Sequence, residues 1–89
     1  MGIGRIGLRY EADLREITPE NRVYGLLRDN GFDPLNVENN YNADHGIGFV
    51  IYSFRGDVKL PSKSKLEQML KAAEIDARVI EVRGEVLPD

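Results

Sequence analysis

The chain has 89 residues, 42% hydrophobic and 30% charged, the composition of one small globular domain rather than of a disordered, charge-dominated chain. Twelve Lys and Arg against fifteen Asp and Glu give a net charge of −3, which excludes indiscriminate attraction to phosphate backbones but not a local basic patch. Without cysteine there is no disulfide or thiolate metal site and a reducing, cytoplasmic setting is expected; Met1-Gly2-Ile3-Gly4-Arg5 lacks a signal-peptide run, and no stretch approaches the roughly 18 apolar residues that cross a membrane.

From Arg5 to Leu14 the sequence alternates. Ile6, Leu8, Tyr10, Ala12 and Leu14 fall on one side and Arg5, Gly7, Arg9, Glu11 and Asp13 on the other, as in a half-buried strand. Thr18 offers an N-cap oxygen, Pro19 suits the first helical position and Glu20 the positive end of the dipole. The helix expected from there carries Val23, Leu26 and Leu27 as its apolar stripe. Asn30-Gly31 closes it as a left-handed C-cap, with Phe32 folding back on the last turn.

After the Asp33-Pro34 turn, Leu35, Val37, Asn39 and Tyr41 alternate with Asn36, Glu38 and Asn40 in a weaker strand that reads as an edge. The loop Asn42-Ala43-Asp44-His45-Gly46 makes it one arm of a hairpin. In the other arm, Ile47 to Phe54, both sides are apolar, Ile47, Phe49 and Ile51 against Val50, Tyr52 and Phe54, which marks a central strand. Arg55-Gly56-Asp57 is read as a polar turn rather than an adhesion signal. Ser64-Lys65-Leu66-Glu67 fits a capping box, and Leu66, Met69, Leu70 and Ala73 continue a helix to about Glu74. Ala77 to Val82 is rich in β-branched residues, with Ile80 and Val82 on one face and Val79, Glu81 and Arg83 on the other. Gly84 to Asp89 is expected to be a loose tail.

This β-α-β-β-α-β order predicts an α+β, ferredoxin-like domain across residues 1–89, with its core at about 5–83. In it a four-stranded antiparallel sheet is covered on one face by two helices. The helices bury the side bearing Ile6, Leu8, Tyr10, Val50, Tyr52 and Phe54. Arg5, Gly7, Arg9, His45, Ile47, Phe49 and Ile51 are left on the open side. Three large apolar side chains in a row on an uncovered face mark a contact site.

The octapeptide His45-Gly46-Ile47-Gly48-Phe49-Val50-Ile51-Tyr52 resembles the Lys/Arg-Gly-Phe/Tyr-Gly/Ala-Phe-Val-x-Phe/Tyr signature of the RNA recognition motif family. The resemblance in element order and length extends over most of the chain. It implies a non-enzymatic module that binds single-stranded RNA on its open face, where the third and fifth octapeptide residues are aromatic platforms and the first meets phosphate. Phe49 matches the fifth position. Ile47 replaces a ring at the third, His45 stands at the first, and Gly7 occupies the aromatic position of the partner motif on the first strand. Arg5 and Arg9 offer guanidinium planes that stack on bases and meet phosphates.

Two other readings of the residues stay open. A protein partner or a second copy docks on the same face, with Ile47, Phe49 and Ile51 as its core ringed by Arg5, Arg9 and Arg83. Alternatively, Gly46-x-Gly48 is only a hairpin entry, with Gly48 keeping space for a helix and Phe49 serving as packing. Asn36, Asn39, Asn40 and Asn42 suit base edges or a peptide as well as an edge strand running into a turn. No cofactor or metal is expected: His45 is the single histidine, Glu11 and Asp13 read as solvated surface, and neither glycine pair links a strand to a helix as a phosphate cradle does.

Overall fold

Alternation becomes a strand at Gly4–Glu11 (β1), followed by a helix at Pro19–Asp29 (α1), strands at Asn36–Asn42 (β2) and Ile47–Phe54 (β3), a helix at Lys63–Ala72 (α2) and a strand at Ala77–Arg83 (β4). The structure, a computed structural model, describes residues 2–11, 19–42 and 44–88. The expected continuation of the first strand through Ala12, Asp13 and Leu14, the Thr18 cap and Ala43 of the hairpin loop lie outside the described residues. The strands form one antiparallel sheet in the order β2-β3-β1-β4, an α+β arrangement compatible with a ferredoxin-like fold.

Period-two geometry explains where the core sits. Ile6 pairs with Tyr52 and Leu8 with Val50 across β1 and β3, and these residues, with Tyr10 and Phe54, are at most 2% exposed. Val23 and Leu27 of α1 and Leu66 and Leu70 of α2 belong to the same cluster, so both helices pack on that face. Leu60, a solitary apolar residue with no periodic signal, is fully buried there too. Gly48 does not keep space for a helix. It lies opposite Tyr10, and a Cβ at this position would fall inside the Tyr10 ring. The ring is also stacked on Tyr41, centroids 6.1 Å apart, and its hydroxyl donates to Asn39 Oδ1 at 2.7 Å.

The helix ends follow the capping rules, though not always at the expected residue. After α1, Gly31 has φ 86°; its N–H donates to Arg28 O at 3.0 Å and that of Phe32 to Leu27 O at 2.8 Å, the Schellman pattern. The N-cap of α2 is Ser62, not Ser64: Ser62 is extended and its Oγ accepts from Lys65 N–H at 3.1 Å. A cap must be extended while its side chain reaches a donor three residues on, and with the extended residue at 62, Ser64 falls inside the helix. The helix also stops at Ala72, short of Glu74, which has φ 56° and donates its N–H to Lys71 O at 3.1 Å while Ile75 N–H reaches Leu70 O at 2.9 Å. This is the glycine-type ending with glutamate in the left-handed position, and Arg22 of α1 adds a bond from Nη2 to Ala73 O at 2.8 Å.

The face assignment in β4 also changes. Gly7 faces Glu81 while Leu8 faces Val79, so Ile80 is one extra residue, a β-bulge, and the alternation shifts there. Val79 is therefore buried at 3% while Ile80 is 52% exposed, the reverse of simple alternation. The segment after β4, expected to be loose, is tied to Leu60: Leu60 N–H donates to Glu85 O at 2.8 Å and Leu87 N–H to Leu60 O at 2.7 Å. Among the described residues, no helix is long and apolar enough to cross a membrane.

Candidate functional site

Residues that alternate with the core positions make cross-strand rows on the other side of the sheet. One row reads Asn40, Phe49, Arg9 and Arg78 from β2 to β4. The next reads Glu38, Ile51, Gly7 and Glu81, with bulged Ile80 beside Glu81, and the third reads Asn36, Ser53, Arg5 and Arg83. Asn42, Ile47 and Glu11 close the other end. Each central-strand residue is thus placed by a register that the opposite, buried face fixes, because a one-residue slip would turn Tyr52 and Val50 into water.

The expected site residues are in different environments. Phe49 is the most open of the three apolar residues on β3, at 45% exposure. Ile47 and Ile51 are half-buried, so the strip is less open than three equal side chains would make it. Arg5 is exposed, Arg9 intermediate, and His45 lies exposed in the turn before β3. Gly7 is buried beneath neighbours: the Cγ of Glu81 lies 3.5 Å from where its Cβ would stand.

Four of the seven come together. Arg9, His45, Ile47 and Phe49 line a depression of about 310 Å³, completed by Asn40 and Asn42. Its floor is apolar and aromatic, and its rim supplies one guanidinium and two amides. Arg5, Gly7 and Ile51 lie outside it, in neighbouring rows. On the other side of Arg9 a polar hollow of about 280 Å³ runs between β1 and β4 past Glu11, Asp76 and Arg78, so Arg9 stands between the two hollows.

Charge is arranged unusually along β1 and β4. Arg9 faces Arg78 and Arg5 faces Arg83, and like charges directly opposite one another on a sheet disfavour folding. Arg9 is relieved by Glu11 at 3.4 Å and Arg83 by Glu81 at 3.7 Å. Both are exposed pairs of small net worth. Among the described residues Arg5 and Arg78 have no ion-pair partner. Guanidinium groups gathered in this way favour an anionic or π-rich visitor.

Arg78 and Ile80 escape a reading of the sequence, because their places depend on the register of β4 and its bulge. Asn40 and Asn42 are legible only as an amide-rich edge. Among the described residues no group of three or more His, Cys, Asp or Glu is placed to hold a metal ion. Compared with known proteins, the chain matches no family model, and no curated protein or solved structure matches it at a significant level.

Proposed function

We propose that the domain is a ferredoxin-like, RNA-recognition-motif-like module that binds single-stranded RNA on its open sheet face and catalyses no reaction. The observation that carries this reading is the row Asn40, Phe49, Arg9 and Arg78 with its apolar-floored depression. A base stacks on Phe49, the Asn40 and Asn42 amides offer donors and acceptors to its edge, and Arg9 and Arg78 meet the flanking phosphates. With one aromatic platform, stacking contributes only about 1–3 kcal/mol, so weak binding, helped at low salt by the arginines, is expected.

The test is a titration of short single-stranded oligoribonucleotides by fluorescence anisotropy at several salt concentrations. Binding that weakens with salt, and that collapses in Phe49→Ala and in Arg9→Ala, is the expected result. Absence of micromolar binding at low salt sinks the reading. The exposure of Ile80 beside half-buried Ile51 favours a second reading, in which a protein partner or a second copy covers the same face. In that case Phe49→Glu abolishes association in light scattering while oligonucleotides leave the wild type unaffected.

A further inference from the structure

The two edges of the sheet are treated differently. β4 presents a bulge at Ile80 and charges at Arg78, Glu81 and Arg83, devices that keep a strand edge from pairing with another chain. β2 has neither. Its register with β3 runs without a break from Asn36 to Asn42, it contains no Lys or Pro, and Glu38 is its single charge. Among the described residues nothing pairs with its outer edge. Apolar residues at this edge are poorly covered too: Leu35, just before the strand, and Val37 within it are 64% and 37% exposed. A hollow of about 380 Å³ separates Val37 and Asn39 from Asn21 and Tyr24 of α1.

We infer that β2 pairs with β2 of a second copy of this chain, antiparallel about a two-fold axis at Asn39. The sequence of the strand is complementary to itself in that register. Val37 faces the partner's Tyr41, Glu38 faces the partner's Asn40, and Asn36 faces the partner's Asn42, so all seven residues of β2 pair and no charge meets its like. An axis at Glu38 sets two carboxylates directly opposite each other, which opposes pairing. An axis at Asn40 moves the ends of the ladder past β2 into the hairpin loop. Pairing about Asn39 satisfies the open backbone edge. It also continues the sheet, so both Phe49 depressions lie on one side of it, with their strands three spacings of about 4.8 Å apart. The arrangement does not depend on what those depressions bind.

The chain has no cysteine, so single cysteines read the register directly. In Asn39→Cys the two sulfurs meet across the axis at a separation a disulfide tolerates, whereas in Glu38→Cys the equivalent residues are diagonal neighbours roughly 7–8 Å apart, beyond it. Under mild oxidation Asn39→Cys is expected to cross-link at least about tenfold faster than Glu38→Cys. Sedimentation of the cysteine-free chain between about 1 μM and 1 mM should show a concentration-dependent dimer. Asn40→Glu, which sets two carboxylate pairs in opposition, should weaken the dimer about 2- to 30-fold, and Asn40→Lys should tighten it. A strict monomer over that range overturns the inference, as does equal cross-linking at the two positions. So does a dimer lost in Phe49→Glu and insensitive to charge at position 40, since it would lie on the open face instead.

Discussion

Installing the missing ring tests the proposed binding face more sharply than removing the ring it has. Gly7 stands where the resemblance to RNA recognition motifs calls for an aromatic, and it lies diagonally from Phe49, one row along the sheet. A Cβ at position 7 meets only the Glu81 side chain at 3.5 Å and the Glu81 backbone N at 4.0 Å, ordinary contacts. The position carries no positive φ, so the backbone of the strand accepts a side chain there. Replacing glycine in a strand interior also removes an entropic cost of roughly 0.5–1 kcal/mol. Gly7 is buried, so the added ring must move the Glu81 side chain aside, and thermal unfolding of the substituted protein separates a change in affinity from a change in folding.

If a base stacks on Phe49, its neighbour on the RNA strand can stack on the ring introduced by Gly7→Phe, adding about 1–3 kcal/mol, or about 5- to 150-fold in affinity. The measurement is fluorescence anisotropy with a labelled single-stranded oligoribonucleotide, with circular dichroism to verify the fold. Gly7→Leu is the control, because it adds apolar area without a π face and should give only a small part of the gain. A folded Gly7→Phe protein that binds no tighter than the parent, or no tighter than Gly7→Leu, refutes stacking on this face.

Phe49→Ala should weaken the same binding about 5- to 150-fold while leaving thermal stability almost unchanged, because Phe49 is 45% exposed and outside the core; calorimetry beside the titration separates the two effects. Arg9→Gln should lower the slope of log affinity against log salt by about 0.7, one phosphate contact on a single strand; an unchanged slope removes Arg9 from the phosphate path. Gly48→Ala drives a methyl group into Tyr10, which is held by Tyr41 and Asn39. Overpacking and a lost hydrogen bond together predict a destabilisation of about 2–4 kcal/mol in urea titration, and a loss below about 1 kcal/mol would mean the ring moves aside freely. Glu74→Gly relieves a left-handed residue at the end of α2 and should raise stability by about 0.5–1 kcal/mol.

What was legible in the sequence was what local sterics decide. Alternation from Arg5 onward located the first strand and its buried side, because side chains on a strand must alternate, the apolar run Ile47–Phe54 located a central strand, and Asn30-Gly31 located a helix end because few residues other than glycine accept its backbone. What escaped depends on partners distant in sequence. One extra residue in β4 leaves no mark on a β-branched run, yet it reverses Val79 and Ile80 and decides that Arg78, not a neighbour, shares a row with Phe49. Ser62 and Ser64 both satisfy capping chemistry, and the choice between them rests on where the chain leaves Leu60, a core residue held by the segment after β4. Glu74 at a left-handed C-cap goes against propensity and is supported by Arg22 from the other helix.

The charge of −3 fits a nucleic-acid reading only if affinity arises from contact rather than from long-range steering, and the sheet is laid out accordingly. Four arginines, Arg5, Arg9, Arg78 and Arg83, share the open face with Glu11, Glu38 and Glu81, but in separate rows. Arginine is the only charge in the Phe49 row, whereas the nearest acidic residues belong to the adjoining rows, about 7 Å along the strand at the backbone, with the Glu11 carboxylate reaching to 3.4 Å from Arg9. That spacing is shorter than the Debye length of about 10 Å at 0.1 M salt. Seen from a distance, the rows therefore largely cancel, and the chain exerts little pull on a polyanion. At contact the balance changes, since Arg78 has no ion-pair partner among the described residues and a phosphate on Arg9 replaces the exposed, weakly held Glu11 carboxylate. Association should accordingly be slow for a nucleic-acid binder and nearly independent of salt in its on-rate, with the salt dependence carried by dissociation. A stopped-flow on-rate that falls steeply with salt would contradict this layout.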